Sequence, residues 1–219
     1  MELAIVDLGL GNLRSVEKAV AVAADRASAG APVVTGDPDV IGRAKRIIVP
    51  GQGAFRDGAA ALARDGGALA EVLRTSIRAG KPYLGICLGL QLLLEDSEEA
   101  PGARGLGIIA GSVRKIPGDL VEAGRRLKVP HMGWNQPCVL GTRGGVASSD
   151  ALHAAWFYFV HSYHAIPDDR ELVAATASYG SLEITAALAD GPLLATQFHP
   201  EKSQRAGLEL LETFLRRRV

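Results

Sequence analysis

Lys81-Pro82-Tyr83-Leu84-Gly85-Ile86-Cys87-Leu88-Gly89-Leu90-Gln91 is the stretch on which the fold turns. Pro82, Tyr83, Leu84 and Ile86 make a short apolar run, the pattern of a buried strand. Gly85-x-Cys87-x-Gly89 follows, and Leu88, Leu90, Leu92, Leu93 and Leu94 then read as an amphipathic helix. Strand, tight turn and helix with a nucleophilic side chain at the turn form a nucleophile-elbow pattern, with sulfur in place of the usual hydroxyl. So abrupt a turn crowds its neighbours, and glycine fits on both sides. A cysteine at a helix N-terminus meets the macrodipole and free N–H groups, which favour a thiolate. The same N–H groups can hold an oxyanion. A lone cysteine after an apolar run also suits a small buried hydrophobe, so the catalytic reading needs a second motif.

That motif is His199-Pro200-Glu201, at the end of the late apolar run Leu193 to Phe198. In an extended segment residues two apart project to one side, and Pro200 stiffens the backbone between them. An imidazole beside a carboxylate is the base-plus-orienter half of a triad. Cys87 is the matching nucleophile. A plain turn is the bland alternative for His-Pro-Glu, and the elbow in the same chain weighs against it.

Outward from the elbow, the amino-terminal part alternates strand and helix patterns. Leu3 to Val6 reads as a first strand and Asp7 to Asn12 as a turn. Leu13 to Ala24 reads as a helix with Leu13, Val16, Val20 and Ala24 on one face, and Asn12 as its N-cap. Gly9-x-Gly11 lacks the third glycine of a dinucleotide fingerprint. Val33-Val34 and Arg46 to Val49 are further strands. The latter runs into Pro50-Gly51-Gln52-Gly53, a second source of oxyanion N–H groups or a plain turn between strand and helix. It lacks the Lys-Ser/Thr of a phosphate loop. Arg56 to Arg64 and Ala68 to Ala79 read as helices broken at Gly66-Gly67 and closed by Gly80. Ser97 to Gly105 reads as a surface loop and Pro130 to Asn135 as a loop centred on Trp134. From Ser112 onward short β-prone runs dominate: Trp156 to Val160, Leu172 to Ala177 and Ile184 to Ala189, the last two paired about Tyr179-Gly180-Ser181. A final helix carries Leu208, Leu211 and Leu215 inward. The expected fold is a three-layer α/β domain over residues 1–219: an open, mixed, mostly parallel sheet flanked by helices, with a smaller antiparallel strand-rich addition.

Composition narrows the function classes. Of 219 residues, 47% are apolar and 22% charged, an ordinary globular mixture. Lys+Arg and Asp+Glu are each 24, which argues against nucleic acid or an anionic membrane as the main partner. Arg216-Arg217-Arg218 suits the end of a last helix. Two cysteines make no disulfide framework, and a reactive thiol needs a reducing compartment. Met1 to Asp7 does not read as a signal peptide, and no apolar run is long enough to span a bilayer. The expected location is the cytoplasm. No HExxH or CxxC spacing points to a metal, and no cofactor is expected.

The elbow Gly85-Ile86-Cys87-Leu88-Gly89-Leu90-Gln91 together with His199-Pro200-Glu201 resembles the class I (triad) glutamine amidotransferases. Gly9-x-Gly11-Asn12-Leu13, Pro50-Gly51-x-Gly53-Ala54-Phe55, His131-Met132-Gly133-Trp134-Asn135 and Phe159-Val160-His161-Ser162-Tyr163 resemble the branch formed by the glutaminase subunits of imidazole glycerol phosphate synthases. The resemblance covers nearly the whole chain. It implies that Cys87 attacks the glutamine carboxamide, that His199 moves the proton and that Glu201 orients His199. It implies an oxyanion hole from Leu88 and the Gly51-Gln52-Gly53 loop, with Gln52 standing where an apolar residue such as Val is expected. Gln91, Ser162 and Tyr163 match substrate-contact positions. His161 is either such a contact or a satisfied core histidine. The implied partner is a (β/α)8-barrel cyclase that takes up ammonia. Asn12, Arg14, Trp134, Asn135 and Lys202 match positions near that interface, although Trp134 also suits a core. Another amidotransferase of the class, a freestanding cysteine hydrolase and an inactive binding scaffold stay open as rivals at this level.

Overall fold

The computed structural model describes residues 2–140, 149–153 and 155–217. The amino-terminal half alternates β1 (Leu3–Val6), α1 (Leu13–Ala27), β2 (Val33–Thr35), α2 (Pro38–Arg43), β3 (Arg46–Gly51), α3 (Phe55–Ala63), α4 (Ala68–Arg78), β4 (Tyr83–Cys87) and α5 (Leu88–Gln91). The carboxy-terminal half is strand-rich. It runs β5 (Asp96–Ser97), β6 (Gly111–Lys115), β7 (Val121–Glu122), β8 (Arg125–Arg126), β9 (His131–Asn135), β10 (Cys138–Val139), α6 (Ser149–Leu152), β11 (Phe157–His161), β12 (Tyr163–Pro167), β13 (Val173–Tyr179), β14 (Leu182–Asp190), β15 (Leu193–Thr196) and α7 (Gln204–Leu215).

Among the described residues the main sheet has eight strands in the order β10-β13-β14-β15-β4-β3-β1-β2. Its β15-β4-β3-β1-β2 part is parallel, and β13, β14 and β10 extend it antiparallel. Strands buried on both faces read as continuous apolar runs, and alternate residues feed two cores. Ala4, Val6, Ile47 and Val49 pack beneath α2 to α4. Leu3, Ile5, Ile48, Leu84 and Ile86 pack beneath α1 and α7. The parallel strands all end on one edge, where an open α/β sheet places its ligands.

Several expectations change at the level of elements. The helix expected from Leu88 through Leu94 is a single turn, Leu88–Gln91. Leu92, Leu93 and Leu94 are nonetheless fully buried, so burial rather than helical periodicity explains the leucine run. Pro130 to Asn135 is not a loop over most of its length. His131–Asn135 is a strand paired antiparallel with Phe157–His161. Ser97 and Ala100, in the expected surface loop, are buried. Leu13 and Leu208 lie only partly inside, while Leu210 and Phe214 fill the inner face of α7. Asn12 occupies the N-cap position of α1 at φ 70°, but its side chain makes no capping bond. The basic run after α7 reaches Arg218, which lies outside the described residues; Arg216 pairs with Glu212 and donates to the Arg26 carbonyl.

Candidate active site

Cys87 ends β4 at φ 53°, ψ −102°, a left-handed conformation that costs a non-glycine residue about 1–3 kcal/mol and concentrates at functional sites. The flanking glycines make the turn possible. A Cβ on Gly85 would meet the Gly89 carbonyl oxygen at 2.6 Å, and one on Gly89 would overlap the Val49 carbonyl. The buried Tyr83 hydroxyl donates to the Gly89 carbonyl at 3.2 Å and ties the turn to its strand.

His199 follows β15, the parallel neighbour of β4. Its N–H donates to the Tyr158 carbonyl at 2.9 Å and its carbonyl accepts from the Ser203 hydroxyl at 2.6 Å. Phe198, just before it, stacks on Phe157 at 4.1 Å. Pro200–Lys202 is a 3-10 turn rather than extended chain. The turn, not strand alternation, carries Glu201 under the imidazole. Glu201 Oε1 lies 2.8 Å from His199 Nδ1, both side chains being 1% exposed. Oε1 also accepts from Asn12 Nδ2 at 2.9 Å. Asn12, assigned to the partner face by resemblance, is therefore built into the triad's support.

Burial works against charge on His199, but the Cys87 anion first, and then the Glu201 carboxylate, outweigh it and carry its pKa from 6.5 up to about 10. The His199 Nε2 atom is buried without an aligned hydrogen-bond partner. Cys87, by charge and by hydrogen bonding, and Glu201 together set the proton affinity of His199, and Nε2 faces the reacting groups. An imidazolium beside sulfur is the electropositive neighbour that holds a thiolate.

A cavity of about 350 Å³ opens over the pair, lined by Gln52, Gly53, Cys87, Leu88, Gln91, Glu99, Pro130, Val160, His161, Ser162, Tyr163 and His199. Nearly all the sequence-derived oxyanion and substrate residues thus converge. Gly51 sits beneath as the β3 partner of Cys87, and a Cβ there would meet Leu88 Cβ at 2.8 Å. Gly53 has φ +145°, which favours glycine.

Three contributions escaped the sequence reading. Glu99 is the only carboxylate among the described residues lining the cavity, and its Oε2 accepts the Phe55 N–H at 2.7 Å, anchoring the 51–54 loop. Gln197 Nε2 lies 3.5 Å from Cys87 Sγ. Asn12 holds Glu201. None has a local motif, because each acts across the fold. His161 is both cavity wall and satisfied core histidine: it bonds the Tyr163 carbonyl at 2.8 Å and His131 Nδ1 at 3.2 Å. Burial drives its pKa down to about 3 and that of His131 down to about 4. No cluster of potential metal ligands exists among the described residues.

On β9 the side chains alternate. Met132 and Trp134 are 63% and 44% exposed. Asn135 turns the other way, donating to the Ser178 carbonyl at 2.8 Å, so strand geometry separates it from Trp134. Arg14 is exposed, and Lys202 lies over the Tyr158 ring at 5.9 Å.

The family model described as "Glutamine amidotransferase class-I" matches residues 12–217. A relative from Geobacter sulfurreducens named "Imidazole glycerol phosphate synthase subunit HisH" is 47% identical, covering 97% of each chain. One of the same name from Methylococcus capsulatus is 49% identical over 98% of this chain and 95% of its own. Among solved structures, "Structure of PurLQS from Thermotoga maritima" matches with TM-score 0.71 at 18% identity over 98% of both chains. "Crystal structure of glutamine amidotransferase" matches with TM-score 0.62 at 20% identity, covering 98% and 99%. At these identities the structural likeness speaks for the fold alone. The curated relatives and the family model go further: the chain belongs to the class-I glutamine amidotransferases, and within them to the group of HisH subunits of imidazole glycerol phosphate synthase.

Proposed function

We propose that this chain, as one catalytic domain, is the glutaminase subunit of an imidazole glycerol phosphate synthase in histidine biosynthesis, with Cys87, His199 and Glu201 as its triad. The carrying observation is their convergence: a strained cysteine, a buried imidazole of raised pKa and a carboxylate 2.8 Å behind it, at the floor of one cavity. The Cys87 thiolate attacks the carboxamide carbon of glutamine. The Leu88 N–H and the Gly51-Gln52-Gly53 loop receive the oxyanion. His199 gives its proton to the departing nitrogen, ammonia leaves, and a glutamyl thioester remains. Water, deprotonated by His199, then releases glutamate. Gln91, His161, Ser162 and Tyr163 shape the pocket, and Glu99 offers the charge an α-ammonium group needs.

The relatives are named as subunits, and ammonia is lost to water unless it is guided. The partner we assign is a (β/α)8-barrel cyclase docked over the exposed Met132, Trp134 and Trp156 surface, beside Lys202 and the Asn12–Arg14 turn. Aromatic residues of this kind anchor interfaces. Among the described residues no helix is long and apolar enough to cross a membrane; because a reactive thiol needs a reducing compartment, we place the enzyme in the cytoplasm. The test is glutamate release from glutamine by the chain alone and with the cyclase and its nucleotide substrate. Strong stimulation by both, abolished in Cys87→Ala, is expected; equal activity without the partner would remove the synthase assignment.

A further inference from the structure

The parallel register of β4 and β15 sets Ile86 against Thr196. The next residues along the two strands are Cys87 and Gln197. Gln197 is fully buried, and burying a primary amide is costly unless its atoms are bonded. Its Nε2 lies 3.5 Å from Cys87 Sγ, and its Oε1 accepts from Gln91 Nε2 at 3.2 Å. Gln91 Nε2 also donates to the Tyr163 carbonyl at 3.1 Å. These contacts orient both amides. The Tyr163 carbonyl can only accept, so it places the nitrogen of Gln91. That nitrogen then requires the oxygen of Gln197, and the Gln197 N–H is left facing sulfur. Backbone bonds fix the residue in place: Gln197 N–H donates to the Ala186 carbonyl at 2.9 Å.

The sulfur has use for this donor. The helix after Cys87 is one turn long, too short for the macrodipole that a longer helix supplies. A directed N–H beside the sulfur answers that need locally. Gln91 also lines the cavity, so the chain of bonds runs from the substrate space through two amides to the nucleophile, and each bond polarises the next.

We propose that Gln197 is a further active-site residue that donates an N–H to the Cys87 sulfur whenever the sulfur carries negative charge, with Gln91 as the positioning residue that orients it. This rests on Cys87 being the nucleophile. In acylation the sulfur lone pair forms the C–S bond, the C–N bond breaks, and the His199 proton leaves on ammonia. In deacylation the water oxygen forms the C–O bond, one water proton returns to His199, and the C–S electron pair returns to sulfur. Gln197 meets the charge at the start of the first step and at the end of the second. Contact of substrate with Gln91 strengthens that donation.

The experiment uses the full chain in complex with its cyclase partner and the near-isosteric Gln197→Met. A hydrogen bond to a charged group sets the expected effect: kcat for glutamate release falls about 10- to 100-fold. KM for glutamine changes less than about threefold, because Gln91, which lines the pocket, keeps its bond to the Tyr163 carbonyl. The pH profile of iodoacetamide alkylation of Cys87, read without substrate, moves to higher pH in the variant, because the thiolate has lost a donor. A variant with kcat within twofold of the parent and an unmoved alkylation profile overturns the proposal. Should Gln197→Met fail to fold, the Gln197 side-chain amide is followed by ¹⁵N NMR in the parent and in Cys87→Ala. One of its two protons shifts on loss of the sulfur, and an unmoved pair of resonances overturns the proposal equally. An active Cys87→Ala would instead remove the triad reading, whereas an inactive Cys87→Ala beside an active Gln197→Met removes only the role of Gln197.

Discussion

Cys87 and His199 share their chemistry through electrostatics, and this is testable at the level of one proton. The Cys87 anion is the largest influence raising the His199 pKa to about 10, against the opposing effect of burial. Cys87→Ala removes it, so His199 in that variant titrates well below its parent value, measured by NMR of the imidazole. An unchanged titration would mean that Glu201 alone sets the value. Asn12 offers a second residue-scale test. Its φ of 70° suits glycine, so Asn12→Gly keeps the backbone and deletes the amide bonded to Glu201. Loss of one bond to a buried carboxylate predicts a kcat about 10-fold lower with little change in KM. Full activity in steady-state assays with the partner present would return Asn12 to a purely interfacial role.

At the scale of elements the elbow and the β9–β11 pair carry opposite kinds of fragility. The elbow depends on close backbone approach: Gly89→Ala would push a methyl into the Val49 carbonyl of β3. Overpacking of this kind costs about 3 kcal/mol, visible as a lowered urea midpoint, and an unshifted midpoint would show that β3 and α5 can part cheaply. The β9–β11 pair depends on pH. His131 and His161 bond to each other between these strands, and burial lowers their folded pKa values to about 4 and about 3 from 6.5. The unfolded chain therefore takes up protons first as pH falls. Their neutral pairing is fully compatible with folding above about pH 6.5, and stability is lost progressively as pH drops through the window down to about 4 and then 3. Tm measured across that range falls steeply in the parent and less steeply in His131→Leu; parallel slopes would assign the acid limb to other groups.

For the whole molecule, the triad and the face proposed for the partner adjoin at Tyr158, on the two-stranded β9–β11 sheet. The Trp134 ring sits edge-on to Tyr158 at 6.1 Å, and Lys202, next to Glu201, lies over the same Tyr158 ring. Docking over Trp134 and Tyr158 would therefore press on the 3-10 turn that holds Glu201. Because Trp134 is 44% exposed, Trp134→Ala should leave stability within about 1 kcal/mol and weaken partner affinity by about 2 kcal/mol, roughly 30-fold. Titration calorimetry with the cyclase decides this, and parent-like affinity would move the interface off β9.

The sequence by itself determined the α/β class, the elbow and the His-Pro-Glu pair, because each is written in contiguous residues whose spacing has a local physical meaning. It placed Gln52, Gly53, Leu88, Gln91, His161, Ser162 and Tyr163, which the structure gathers around one cavity. Element boundaries were less legible where burial overrides periodicity, as in Leu92 to Leu94, or where a strand looks like a loop, as at His131–Asn135. Only the tertiary structure decided that Gln197 faces Cys87, that Asn12 grips Glu201 across 189 residues of chain and that Glu99 anchors the 51–54 loop. Those pairings follow from strand register and from the docking of loops at one sheet edge. Register is fixed by the fit of both faces of the sheet at once, a condition no single stretch of sequence contains.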